Sequence, residues 1–128
     1  MALRDSLSVM VVDDMSTSRS IIIMALEEMG VKKIDFRRDG NEALPSLVAN
    51  PVHIVISDYN MPGMDGLGLL KGLRDNKSTA RIGFILVSGR IDQEILSKGR
   101  ALGMNNFIQK PFSTPQLRSC IQAVVGPL

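Results

Sequence analysis

Four short apolar stretches of this chain run directly into residues able to do chemistry. Val9-Met10-Val11-Val12 leads into Asp13-Asp14, and Ile54-Val55-Ile56 into Ser57-Asp58. Phe84-Ile85-Leu86-Val87 leads into Ser88-Gly89, and Phe107-Ile108 into Gln109-Lys110-Pro111. A fifth, weaker stretch, Ile34-Asp35-Phe36, is followed only by Arg37-Arg38 and Asp39-Gly40. Carboxylates held within a few ångströms repel one another and raise each other's proton affinity. A hard divalent cation relieves this, and Mg²⁺ suits a few carboxylates completed by waters and phosphate oxygens. Asp13, Asp14 and Asp58 could form such a set, with Lys110 as a second cation and Ser88 as a hydroxyl donor. That combination fits phosphoryl transfer, where catalysis is positioning plus neutralisation of the equatorial oxygens. The sequence has no Gly-rich Walker loop, His-Glu-x-x-His, Gly-x-Ser-x-Gly or Gly-x-Gly-x-x-Gly. With no nucleotide cradle, a phosphoryl group is expected to arrive on another molecule and land on a carboxylate.

The apolar stretches read as strands buried on both faces, and the segments between them as helices. Ser16 or Thr17 is expected to cap a helix carrying Ile21, Ile22, Ala25, Leu26 and Met29, ended by Gly30. Residues 41–49 form a shorter helix in which Pro45 is tolerable only near the first turn. Asp65 caps a helix with Leu69, Leu70 and Leu73 on one side. Ile91 to Leu102 is a fourth, weakened by Gly99. Thr114 is expected to cap the last, with Pro115 first and Leu117, Cys120, Ile121 and Val124 inward. Five strand–helix alternations imply a doubly wound α/β domain, because each parallel crossover needs a helix. In such sheets ligands bind beyond the carboxyl ends of the strands, where the candidate residues lie.

Length and composition bound the rest. The 128 residues suit one domain, 1–128, and 45% hydrophobic with 22% charged residues argues against disorder or coiled coil. A net charge of +2 without a basic cluster gives no reason to expect a nucleic-acid partner. The single cysteine, Cys120, excludes an internal disulfide and suits a reducing compartment. No apolar run approaches the ~18 residues needed to span a bilayer, and no secretory signal is visible, so a cytoplasmic protein is expected. His53 and Cys120 read as structural, Met61 and Met64 as shaping the loop beside the site. The last three residues are expected to fray.

The ordered set of motifs resembles the receiver domain of two-component response regulators, most closely the single-domain chemotaxis regulators of the CheY type. The carriers are Val11-Val12-Asp13-Asp14, the run from Ile56 through Asp58 to Asp65-Gly66, Val87-Ser88-Gly89, and Lys110-Pro111-Phe112. The resemblance spans essentially the whole chain, leaving no residues for an effector. It implies a flavodoxin-like five-stranded parallel sheet in the order 2-1-3-4-5, flanked by five helices. It also implies that Asp58 is the phosphoacceptor, fed by a sensor histidine kinase or a histidine phosphotransfer domain. Asp14, Asp58 and the backbone carbonyl of Asn60 would ligate Mg²⁺, with Asp13 acting through a bound water. Lys110 would contact the phosphoryl oxygens, the Ser88 hydroxyl would turn toward them, and the Lys110–Pro111 bond would be cis. Phe107 takes the aromatic switch position. Gly89 leaves the approach to the phosphoryl group open. Arg90, where motor-binding relatives often carry Glu, lies on the path of the hydrolytic water and bears on phosphoryl lifetime.

The implied output is binding, not turnover, although the domain assists its own phosphorylation and dephosphorylation. The surface of the fourth helix, fifth strand and fifth helix would bind a target, the flagellar motor switch, as a monomer. The alternative is a phosphate sink or phosphorelay intermediate. A third reading, an aspartyl-phosphate phosphatase of the haloacid dehalogenase type, lacks its second acid, since Asn60 stands there.

Phe107 lacks the hydroxyl that the Tyr of close relatives carries, so ring burial alone must bias the switch. A hydrogen bond adds ~0.5–1.5 kcal/mol net. Phe107→Tyr is therefore expected to tighten binding of the output partner about two- to tenfold. Unchanged dissociation constants in both phosphorylation states would refute this.

Overall fold

The runs richest in β-branched residues form the middle of the sheet. The computed structural model describes residues 2–128, with β1 (Ser8–Val12), β3 (Ile54–Asp58) and β4 (Gly83–Ser88) almost wholly buried. β2 (Lys33–Arg37) and β5 (Asn106–Gln109) are the more exposed edges. All pairings are parallel, in the order β2-β1-β3-β4-β5 that the resemblance implied. Alternate residues face opposite layers. Val9, Val11, Ile54, Ile56, Ile85 and Val87 meet α2 (Ser16–Glu28) and α6 (Thr114–Val125). Met10, Val12, Val55, Phe84 and Leu86 meet α3 (Gly40–Ala49), α4 (Gly66–Asp75) and the loops beside α5 (Gln93–Ala101).

Six helices are present among the described residues, not five. The extra one, α1 (Leu3–Ser6), is a single turn, too short to show a periodicity, with Leu3 packed on the α2/α6 core and Asp5 paired to Lys32 at 3.2 Å. The Lys32 hydrogen bond holds the Asp5 carboxyl below its ordinary value.

Several helix starts differ from expectation. Met15, not Ser16 or Thr17, is the N-cap of α2, and no side chain at that position caps it. Its N–H instead donates to Asp13 Oδ1 at 3.0 Å, so a site residue also organises the turn. Ser113, one residue before Thr114, caps α6 through a reciprocal capping box with Gln116. Asp92 caps α5, which therefore begins two residues later than Ile91. Pro45 lies in the second turn of α3, where it deprives the Asn41 carbonyl of a helical partner. Asn41 is exposed, so water can replace that bond. The final residues do not fray: Leu128 is buried on the α2/α6 side, and its carbonyl accepts from Arg4 Nη1 at 3.3 Å.

His53 is structural as expected, its Nδ1 accepting the Ser8 N–H at 2.9 Å and tying β1 to the entry of β3. Register does the remaining positioning. Val12 pairs with Ser57, and Asp58 with Val87, so Asp13, Asp58 and Ser88 emerge together at one edge.

Helix α4 starts hard against that edge. The Gly66 N–H donates to the Tyr59 carbonyl at 2.9 Å, and a Cβ on Gly66 would stand 2.5 Å from the Asp58 carbonyl oxygen. A Cβ on Gly89 would meet nothing within 4 Å. Gly66→Ala is thus expected to cost about 2–3 kcal/mol in urea unfolding, because backbone must move. Gly89→Ala should stay within about 0.5 kcal/mol of the parent. Equal midpoints for the two variants would contradict this packing.

Candidate functional site

Three strand-end carboxylates converge. Asp13 is fully buried and Asp58 only 7% exposed, whereas Asp14 faces solvent. One oxygen from each lies within 4.8 Å of the others. Asp13 is clamped from behind: its carbonyl accepts from Arg19 Nη1 at 2.9 Å, and that guanidinium stacks 4.7 Å over the Phe36 ring. Asp58 Oδ1 accepts the Tyr59 N–H at 3.0 Å.

Lys110 enters opposite, presented by a cis Lys110–Pro111 peptide and by its own N–H donating to the Ser88 carbonyl at 2.8 Å. Its Nζ lies 3.3 Å from Asp58 Oδ1 and 3.6 Å from Asp13 Oδ2. One ammonium therefore faces three carboxylates. Burial is the main reason that the Asp58 carboxyl sits above its ordinary value, Lys110 pulling it back and the Asp13 charge pushing it further up.

The donor set fits a hard divalent cation. Asp13 Oδ2 is buried without a hydrogen-bond partner, a costly condition that a cation or its bound water would end. Asn60, two residues after Asp58, is exposed, and its carbonyl accepts no hydrogen bond from the described residues. These oxygens are the kind that Mg²⁺ prefers.

Ser88 is beside this cluster but turned into its own loop. Its Oγ donates to the Arg90 carbonyl at 2.7 Å and accepts the Arg90 N–H at 3.2 Å. A cavity of about 340 Å³ opens here, with Tyr59, Asn60, Ser88 and Arg90 on its walls. The Arg90 side chain itself is solvent-exposed and reaches only to Asp92, at 4.0 Å.

Phe107 is half-buried on β5, against the α3/α4 side of the core. Its strand is tied to α6 twice, through Asn106 Nδ2 to the Cys120 carbonyl at 3.1 Å and Cys120 Sγ to the Phe107 carbonyl at 3.5 Å. Burial pushes the Cys120 thiol up to about 11, so it stays protonated and inert.

Two participants are missing from the sequence reading. Ser18 Oγ lies 2.8 Å from Lys110 Nζ, closer than either carboxylate, and Arg19 braces Asp13. Neither carries a motif; 92 positions separate Ser18 from Lys110, and only the fold brings them together.

Residues 9–122 match the family model of the response regulator receiver domain. The chain belongs to that family. This receiver is 37% identical over 128 residues to the probable chemotaxis protein CheY of Rhizobium etli, covering all of this chain and 99% of that one. It is 30% identical over 122 residues to chemotaxis protein CheY-3 of Vibrio cholerae, covering 95% and 94% respectively. Chemotaxis protein CheY4 of Vibrio cholerae superposes with a TM-score of 0.86 at 27% identity, over 92% of the receiver and 98% of that chain.

The raised Asp58 carboxyl makes a pH-dependent prediction for the metal-free receiver. Folding favours its protonated form, so the stability it contributes is present below the ordinary value of 3.8 and lost as pH rises through the folded value. Asp58→Asn removes that loss. It should melt higher than the parent at neutral pH in chelator, with the difference shrinking as pH falls toward the ordinary carboxylate range. A pH-independent difference in melting temperature would contradict it.

Proposed function

We propose that the receiver, acting as one domain in the cytoplasm, takes a phosphoryl group onto Asp58 from a phosphohistidine. The donor is a sensor histidine kinase or histidine phosphotransfer domain, and the reaction depends on Mg²⁺. The observation that carries this reading is the state of Asp58: both its hydrogen bonds fall on Oδ1, and Oδ2 takes none from the described residues. An Asp58 oxygen attacks phosphorus as the P–N bond breaks, and the electron pair of that bond leaves with the imidazole.

Asp14, Asp58 and the Asn60 carbonyl would hold Mg²⁺, with Asp13 acting through a bound water; the ion would neutralise the charge of the carboxylates and of the incoming oxygens. Lys110 supplies the second positive charge from the opposite side. The Ser88 hydroxyl exchanges the Arg90 carbonyl for a phosphoryl oxygen, which carries more charge and is the stronger acceptor. That exchange frees the loop after β4 and lets the Phe107 ring bury further. Arg90, on the wall of that opening, and its neighbour Gly89 govern access of the hydrolytic water and hence phosphoryl lifetime.

The output follows on the surface of α5, β5 and α6, which carries a groove lined by Phe107, Ile108, Pro115, Ser119 and Cys120. A chemotaxis role, with the flagellar motor switch as target, is favoured by the 37% and 30% identical chemotaxis relatives. No described helix is long and apolar enough to cross a membrane.

Incubation with Mg²⁺ and acetyl phosphate should add one phosphoryl group, read by intact mass. Chelator or Asp58→Asn should abolish the gain. No gain by the parent, or equal gain by Asp58→Asn, would overturn the reading.

A further inference from the structure

We infer that Ser18 is a positioning residue for phosphoryl transfer, holding the Lys110 ammonium in reserve beside the acidic cluster; this rests on the proposed phosphoacceptor role of Asp58. Charge-assisted N–H···O bonds to carboxylate are ordinarily ~2.7–2.9 Å long. Lys110 Nζ stands 3.3 Å from Asp58 Oδ1 and 3.6 Å from Asp13 Oδ2, too far to bind either fully. Its short contact, 2.8 Å, is to the neutral hydroxyl of Ser18.

Serine in the first turn of a helix commonly bonds back to its own backbone. Ser18, third residue of α2, makes no such bond and spends its hydroxyl on Lys110. α2 is fixed beneath it by buried Ile22, Ala25 and Leu26, so the backbone that presents the hydroxyl stays where it is.

Two consequences bear on the reaction. Asp58 is left incompletely neutralised, with its carboxylate available for attack. Lys110 in turn has a neutral partner to release when phosphoryl oxygens arrive, which costs less than breaking a tight ion pair. Without the Ser18 hydroxyl, Nζ closes on Asp58 Oδ1 and, by neutralising the carboxylate more fully, weakens it as a nucleophile.

Ser18→Ala, a good helix former at this position, should keep the fold. Timed intact mass with Mg²⁺ and varied acetyl phosphate should show the saturating rate reduced about five- to tenfold. The half-saturating donor concentration should be unchanged, and Ser18→Thr should restore the rate. In metal-free protein without donor, the Lys110 ammonium ¹⁵N shift should move in Ser18→Ala and return in Ser18→Thr. A parent that takes no phosphoryl group defeats the reading of Asp58, while the Lys110 shift still decides the Ser18 contact. A phosphorylated parent with Ser18→Ala equally fast, or a Lys110 shift that does not move, overturns the role of Ser18.

Discussion

Two like charges, Asp13 and Asp58, are held side by side because the strands that carry them cannot part. β1 and β3 are neighbours at the centre of the sheet, paired from Val9–Ile54 to Val12–Ser57, and both are buried on two faces. Unit charges at this spacing repel by about 3–4 kcal/mol at an effective dielectric of about 20. That is a substantial part of the ~5–15 kcal/mol by which a domain is stable. Lys110, at more than 3 Å from each, offsets the repulsion without ending it. The apolar core therefore keeps the site short of positive charge, and the site's appetite for cations and for a group that reorganises its charge follows from that.

The supporting contacts make sense as management of this crowding. Met15 N–H and Arg19 fix Asp13 from the α2 side, and Tyr59 N–H fixes Asp58 from its own loop. Ser18 and the Ser88 carbonyl bracket Lys110 by its two ends. Ser88 thus meets the site through its backbone while its hydroxyl remains bound to Arg90. Under the proposed phosphorylation, a hydroxyl so engaged would be a stored donor, released by an acceptor better than a peptide carbonyl.

The parts of the fold that were legible in the sequence are those whose residues answer to one local rule. Val9 to Val12, Ile54 to Ile56 and Phe84 to Val87 announce buried strands because burial on both faces demands continuous apolar residues. Asp65 as the cap of α4 follows from the chemistry of unpaired helix N–H groups, and its carboxylate does accept the Gly68 N–H at 2.7 Å. The misplacements arise where two rules compete. Ser16, Thr17 and Ser113-Thr114 offer adjacent capping hydroxyls; α2 uses none of its own, its Met15 N–H going to Asp13, and at α6 the reciprocal bond with Gln116 selects Ser113. Leu128 seemed free because Gly126-Pro127 reads as an end, yet its side chain finds the core. The acidic cluster was legible because each member sits at a strand end. Ser18 and Arg19 were not, since a hydroxyl or guanidinium on a helix turn is unremarkable until the neighbouring strand is placed.

Gly66 and Gly89 flank the same site under opposite conditions. One is wedged against the Asp58 carbonyl, the other borders open space. At Gly66, any change in the side chain must be absorbed by the loop that holds the acidic residue. At Gly89, a Cβ can be added without moving any neighbour. An evolving lineage can therefore change the residue at that position while leaving the site's architecture intact. What borders the site and whether the protein folds can be selected separately there, and cannot be at Gly66.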